Sequence, residues 1–216
     1  MWAACRDVWP YVPTLSVLDV GCGNGRFGVF LAERLADMEA RTGHAPSLHY
    51  HGLDTDAALL ARAREALAGA NGVFTLERRD VIAHPPDSGQ YDLVALFGVL
   101  HHVPGAETRR ALLRSLAERV APGGLLAFAC WRFMDYRRFR DRIVPWPDDL
   151  AGAVEDGDHL LDWRRGETAL RYCHYVDDDE QAALVAATGL DEIDSYRADG
   201  GGAANRYGIL RRRTDA

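Results

Sequence analysis

Val17 to Phe30, VLDVGCGNGRFGVF, is the stretch that most constrains the fold. An apolar run ends in three alternating glycines, and apolar residues then resume at Phe27, Phe30, Leu31, Leu35 and Met38. That pattern specifies a buried strand, a tight turn and a helix laid back on the strand. The alternation continues. LHYHGLD, VFTLE, YDLVALF and LLAFAC read as further strands, with helices after Asp56 and over Thr108–Val120. Asp177 to Thr188 is a helix with aspartates in its first turn, where the dipole favours them, and LDEIDSY and NRYGILRRR form a terminal strand pair. HPPDSGQ is a loop where a longer helix might otherwise stand in the pattern. Strands alternating with helices of this length predict an α/β fold with a doubly wound, mostly parallel sheet.

The glycine turn also contains Gly23-Asn-Gly-Arg-Phe-Gly28, a literal G-x-G-x-x-G. In a dinucleotide fold the first glycine directly follows the first strand. Here the strand ends at Val20, so the turn starts at Gly21 and continues through Gly23 and Gly25. Counted from Gly21, the third fingerprint position falls on Arg26, which is not small. Asp19, at the strand's end, would repel a pyrophosphate and attract a cationic amine. The loop therefore predicts a nucleoside ligand without phosphates, and Gly28 becomes a small residue that lets the first helix pack close to the sheet.

Composition narrows the chemistry. All 25 basic residues are arginine, which excludes Schiff-base catalysis and a Walker A loop, both of which need lysine. The net charge of −7 argues against DNA and broad nucleic-acid binding. Cys5, Cys22, Cys130 and Cys173 lie far apart, as reduced thiols in a cytoplasm would. No apolar run approaches the roughly 18 residues of a membrane span, and the first residues make a poor signal peptide. The 216 residues fit one domain.

In VLDVGCGNG, GLD, RRDV, LFGVLHHV and AERVAPGG the chain resembles the class I S-adenosylmethionine-dependent methyltransferases from Val17 to about Cys130. The resemblance implies a seven-stranded Rossmann-like sheet, S-adenosyl-L-methionine as cofactor and S-adenosyl-L-homocysteine as product. It also implies that Asp19, Gly21, Cys22, Gly23, Asn24 and Gly25 hold the methionine part, and that Asp54 holds the ribose, with Thr55 also at the cofactor. Asp80 and Val81 would take the adenine, with Phe97 and Gly98 beside the cofactor. His101 and His102, at the end of the fourth strand, are the candidates for a general base, or else line the pocket.

The segment 131–176 breaks the rhythm and reads as a lid between a cofactor-binding half, 1–130, and a C-terminal helix and strand pair, 177–216. Five arginines alternate with aromatics in WRFMDYRRFRDRIVPW, and Phe133, Tyr136, Phe139 and Ile143 recur at helical spacing, predicting an amphipathic helix. Arg132 and Arg138 are candidates to hold an anionic acceptor. LLDWRRGETALRYCHY and the residues after it resemble the tRNA wobble-uridine carboxymethyl methyltransferases. That likeness implies that Arg171, Tyr172 and His174 contact substrate or order the lid, and that the acceptor is a carboxymethyl group on tRNA. A small carboxylate or hydroxyl acceptor is the other expectation. A non-catalytic subunit working with a partner and a nicotinamide oxidoreductase are the readings from other classes. No metal is expected.

Overall fold

The computed structural model describes residues 13–165, 167–199 and 202–214. The N-terminal stretch read above as a poor signal peptide, and Cys5 within it, lie outside the described residues. Strand β1 (Thr14–Val20) leads through the glycine turn into helix α1 (Arg26–Thr42). Next come β2 (Ser47–Asp54), α2 (Ala57–Leu67), β3 (Val73–Arg78), β4 (Tyr91–Leu96), α3 (Ala106–Ala117) and β5 (Val120–Trp131). The insertion holds a one-turn helix α4 (Arg137–Arg140) and strands β6 (Ile143–Val144), β7 (Asp158–Arg165) and β8 (Glu167–His174). Helix α5 (Asp178–Thr188), β9 (Asp191–Ala198) and β10 (Asn205–Arg211) follow.

The main sheet has seven strands in the order β3-β2-β1-β4-β5-β10-β9. Strands β1 to β5 pair in parallel, and β10 runs antiparallel between β5 and β9. This is the mostly parallel, doubly wound sheet expected from the strand and helix alternation. The apolar composition of β1 follows from its burial on both faces. Leu15 and Val17 pack with Leu31, Leu35, Leu60 and Leu67 from α1 and α2. Leu18 and Val20 pack with Leu112, Leu116 and Leu184 from α3 and α5. Each such side chain contributes about 1.5–3 kcal/mol on burial. Asp56 caps α2 by accepting from the Ala58 and Leu59 N–H groups, and Asp177 caps α5 by accepting from Glu180 N–H.

Two expectations change. The fifth strand, read as LLAFAC, starts earlier, at Val120, so that APGG lies inside β5, where the pairing with β4 shifts register. The amphipathic helix over Phe133–Ile143 does not form. Tyr136 keeps an extended backbone (φ −115°, ψ 122°), which breaks the helical hydrogen-bond ladder between a 3-10 turn at Phe133–Asp135 and the single turn of α4. The chain then enters a small antiparallel sheet, β6-β7-β8. Its aromatics gather around Trp131, with Phe139 at 4.8 Å and Phe133 at 5.0 Å between ring centroids.

Between β3 and β4 no α-helix forms. A groove of about 860 Å³ opens there, lined by Arg79, Asp80, His84, Pro86 and Ser115 among others. No helix among the described residues is long and apolar enough to cross a membrane.

Candidate active site

The strand order reverses between β1 and β4, so their carboxyl ends open a crevice at the switch point of the sheet. The glycine turn sits there. Gly21 and Cys22 donate their N–H groups to the Leu53 carbonyl at 2.8 and 2.9 Å, fastening the turn to the end of β2. Gly21 has φ 75°, and a Cβ there would lie 2.2 Å from Val99 Cγ2, so both backbone and packing require glycine. Gly28 is a second close approach: a Cβ would come within 3.0 Å of the Tyr50 ring and 3.1 Å of Leu67. The helix therefore packs closely on the sheet at that position.

Asp54 is half-buried and joins the turn to the next helix. Its Oδ2 accepts from Gly23 N–H at 2.8 Å and its Oδ1 from Asp56 N–H at 2.9 Å. Each oxygen keeps a second lone pair. Thr55 is exposed beside it, and its carbonyl accepts from Arg78 Nε. Asp80 is exposed, with Oδ1 accepting from the Ile82 and Ala83 N–H groups. The Val81 side chain is buried in the core below it. Asn24 is half-buried in the turn. Phe97 meets Phe27 edge-on at 5.1 Å, and Gly98 has open space where a Cβ would stand.

Asp19 is 2% exposed, and its Oδ2 accepts from the Tyr50 hydroxyl at 2.5 Å. Burial pushes its carboxyl up to about 7; the Tyr50 hydrogen bond opposes the rise and the Asp54 charge adds to it. Cys22 is buried, and burial together with Asp19 and Asp54 pushes its thiol up to about 12, so it stays protonated and inert.

His101 and His102 form a 3-10 turn with Leu100 after β4. Their rings lie 4.1 Å apart, and Trp131 meets His101 edge-on at 5.3 Å. His101 is buried, and its Nδ1 has no hydrogen-bond partner among the described residues. Burial, then His102 and Arg171, push its pKa down to about 3, so it is neutral throughout the neutral range. His102 is lowered as well, by burial and by Arg171, against a raising hydrogen bond to Tyr172. Its Nδ1 lies 3.2 Å from the Tyr172 carbonyl, which can only accept. Nδ1 therefore carries the proton, and the neutral ring has its lone pair on Nε2. Arg171 is exposed on β8.

Arg132, a candidate to hold the acceptor, and Tyr172 and His174, expected to contact substrate or order the lid, have partners within the protein. His174 is 2% exposed, with Nδ1 2.6 Å from Asp158 and Nε2 2.6 Å from Glu180. The Tyr172 hydroxyl donates to the same Asp158 at 2.7 Å. Arg132 is buried, donates to the Val176 carbonyl and to Asp178, each at 3.1 Å, and lies over the Tyr175 ring. The His174–Glu180 and Arg132–Asp178 contacts anchor this segment to α5, while the Tyr172–Asp158 bond ties β8 to β7 within the insertion. Arg138 remains exposed, over Phe139 and Tyr136.

The centre of this network is Arg109, which sequence reasoning missed. It is 1% exposed and donates to Glu180 at 2.7 Å, Glu155 at 3.0 Å and the Val103 carbonyl at 2.9 Å. The available signal is its spacing with Leu112, Leu113 and Leu116, which puts a cation on the apolar stripe of α3. Glu155, Asp158 and His174 offer three ligand-type atoms within 4.8 Å. Arg109, the Ala106 N–H, the Tyr172 hydroxyl and Glu180 already engage them, so they form a structural ion network.

The family model for the methyltransferase domain matches residues 18–126, half of the chain. The chain belongs to this family. As an S-adenosylmethionine-dependent methyltransferase of class I, it is 27% identical to trans-aconitate 2-methyltransferase of Azoarcus sp. strain BH72. The match covers 91% of this chain and 87% of that one. It is 37% identical over 143 residues to an uncharacterized methyltransferase of Mycobacterium bovis, covering 66% of this methyltransferase and 64% of the relative. Its fold matches a methyltransferase from Methanosarcina mazei with TM-score 0.73 and 16% identity, covering 100% and 99% of the two chains. It also matches magnesium protoporphyrin IX methyltransferase of Synechocystis, solved with S-adenosylhomocysteine, with TM-score 0.61, 18% identity and coverage of 98% and 78%. The oxidoreductase and non-catalytic readings fall away for this methyltransferase.

Proposed function

We propose that the enzyme transfers the methyl group of S-adenosylmethionine to a carboxylate oxygen of a small organic acid, forming a methyl ester and S-adenosylhomocysteine. The observation that carries this reading is the contact between His102 Nδ1 and the Tyr172 carbonyl at 3.2 Å, which sets the histidine turn after β4 against the arginine-bearing strand β8. The exposed Arg171 is the chain neighbour of Tyr172 on that strand, and a cation there suits an anionic acceptor. The relative whose name gives trans-aconitate as acceptor, matched over most of both chains, supports it.

The residues present fit the cofactor. Asp19 and Asp54 suit an ammonium group and ribose hydroxyls and would repel phosphate, while Gly23 and Gly98 leave open space. In this reading Asp19 and the turn Gly21–Gly25, including Cys22 and Asn24, hold the amino-acid end. Asp54 and Thr55 hold the ribose, Asp80 and Val81 the adenine, and Phe97 and Gly98 flank the cofactor. The bound cofactor supplies a methyl group already activated on a sulfonium. With the cofactor held by these residues, a carboxylate oxygen would take that methyl as its bond to sulfur breaks, leaving S-adenosylhomocysteine. The acceptor has no proton to lose, so the protein's part is positioning. Arg171 orients the acid. His102 Nε2 is free to take a proton if the acid arrives protonated or the acceptor is a hydroxyl. In this reading the described part of the cofactor half runs to residue 130, and residues 131–176 form the acceptor wall.

A carboxymethyl group on tRNA offers the same oxygen, but Tyr172 and His174 of the Arg-Tyr-x-His stretch are committed to Asp158, which favours the small acid. The test incubates the purified chain with S-adenosylmethionine and either a panel of di- and tricarboxylates or demodified tRNA. Methyl esters are then read by mass spectrometry. A small-acid ester is expected. Ester formed on tRNA alone would replace this reading, and ester formed only after adding a cell extract would point to a partner subunit.

A further inference from the structure

Tyr50 has no part in the readings above. It stands on β2 with its hydroxyl 2.5 Å from Asp19 Oδ2, and both side chains are 2% exposed. Its ring occupies a slot created by two glycines: a Cβ on Gly28 would come within 3.0 Å of it, and one on Gly52 within 2.9 Å. Phe74 closes a further side at 6.0 Å between ring centroids. A phenol fixed in this way has one proton to donate, and Asp19 receives it. The other titratable groups facing Asp19 are Cys22 from the turn and Asp54 from the end of β2, both acids. Among the described residues no cation faces this buried carboxyl.

We propose that Tyr50 is a positioning residue for the cofactor: its hydroxyl holds Asp19 under the glycine turn to receive the cofactor's ammonium group, and binding expels the proton from Asp19. The inference rests on the reading of the turn as the amino-acid end of the cofactor site. The step balances. A protonated Asp19 carboxyl and a cationic ammonium group give an ion pair and one proton released to solvent. The raised Asp19 carboxyl, at about 7, supplies that proton near neutral pH. The Tyr50 hydrogen bond then favours the ionised form, because a phenol donates more strongly to a carboxylate than to a carboxylic acid.

The test is calorimetric titration of the whole chain with S-adenosylhomocysteine and with 5′-methylthioadenosine, which lacks the amino-acid end. Titrations run from pH 6 to 8 in two buffers of different ionisation enthalpy. For the unaltered protein, S-adenosylhomocysteine should bind more tightly as pH rises, with proton release, while methylthioadenosine shows neither effect. Tyr50→Phe should weaken S-adenosylhomocysteine about tenfold, as expected for losing a hydrogen bond to a charged group. It should also shift the pH midpoint upward and leave methylthioadenosine unchanged. Asp19→Asn, which keeps the Tyr50 contact, should bind without proton release. Equal weakening of both ligands by Tyr50→Phe would make Tyr50 a packing residue and overturn the proposal, as would binding without proton release in the unaltered protein. No binding of either ligand to the unaltered protein would instead overturn the cofactor-site reading beneath it.

Discussion

Glu180 on α5 takes His174 Nε2 on one carboxylate oxygen at 2.6 Å and Arg109 Nε on the other at 2.7 Å. One acid thereby joins the insertion, through β8, to the helix that follows the histidine turn. His174 Nδ1 faces a second carboxylate, Asp158, at 2.6 Å. With acceptors on both sides, the ring holds both protons and is an imidazolium.

That charge state fixes a pH dependence. Burial lowers the His174 pKa, but the hydrogen bonds to Glu180 and Asp158 outweigh it and the net shift is upward. Its stabilisation is complete below the ordinary histidine value of about 6.5 and is lost as pH rises through the folded value. Asp158 and Glu180 are lowered by their hydrogen bonds despite burial, so their contribution is lost as pH falls below the ordinary carboxylate range. Melting temperature should therefore decline from pH 6 to pH 9. His174→Gln should remove part of that slope and leave the part from Asp19, whose raised pKa has the same sign. Thermal melts across a pH series check this.

Arg109→Met should destabilise the fold by about 3–5 kcal/mol, because it strands partly buried carboxylates without their cation. Glu180 has 16% side-chain exposure and Glu155 41%, so most of the loss comes through Glu180. Arg109→Lys should recover little, since a single ammonium cannot serve two acids and the Val103 carbonyl in the same geometry. Urea denaturation of the three proteins measures the difference.

Gly28→Val should cost about 1–3 kcal/mol through overpacking against Tyr50 and Leu67. The same displacement moves the Tyr50 hydroxyl away from Asp19. Cofactor affinity should fall alongside stability in a thermal-shift titration with S-adenosylhomocysteine.

Asp54→Ala removes the acceptor for Gly23 and Asp56 N–H and, on the proposed function, both ribose contacts. S-adenosylhomocysteine should then give no thermal stabilisation at concentrations that saturate the unaltered protein. A preserved shift would move the ribose site elsewhere.

The fold and the glycine turn were legible because their signals are local. Where a strand ends relative to Gly21 depends on neighbours along the chain, and that register separates one nucleotide loop from another. The insertion was not legible in this way. Phe133, Tyr136, Phe139 and Ile143 have helical spacing, but β6 is held by residues of β7, Leu160 and Leu161, which no periodicity announces. His174 and Arg132 looked like ligand-binding residues because their chemistry is the same whether the acid they meet is a substrate or Asp158 and Asp178. Arg109 did leave a trace as a cation on an apolar stripe, and Tyr50 left only its place in a strand.

The antiparallel strand β10 lies inside the sheet, between β5 and β9. Residues 132–204, with the whole insertion, form the loop that must close before β5 and β10 can meet, and β9 reaches the sheet only through β10. Such long-range pairing is slow to nucleate. Until it occurs, the open edge of β5 is a template for another chain. Substitutions that loosen the insertion should thus lower the yield of soluble protein more than its equilibrium stability.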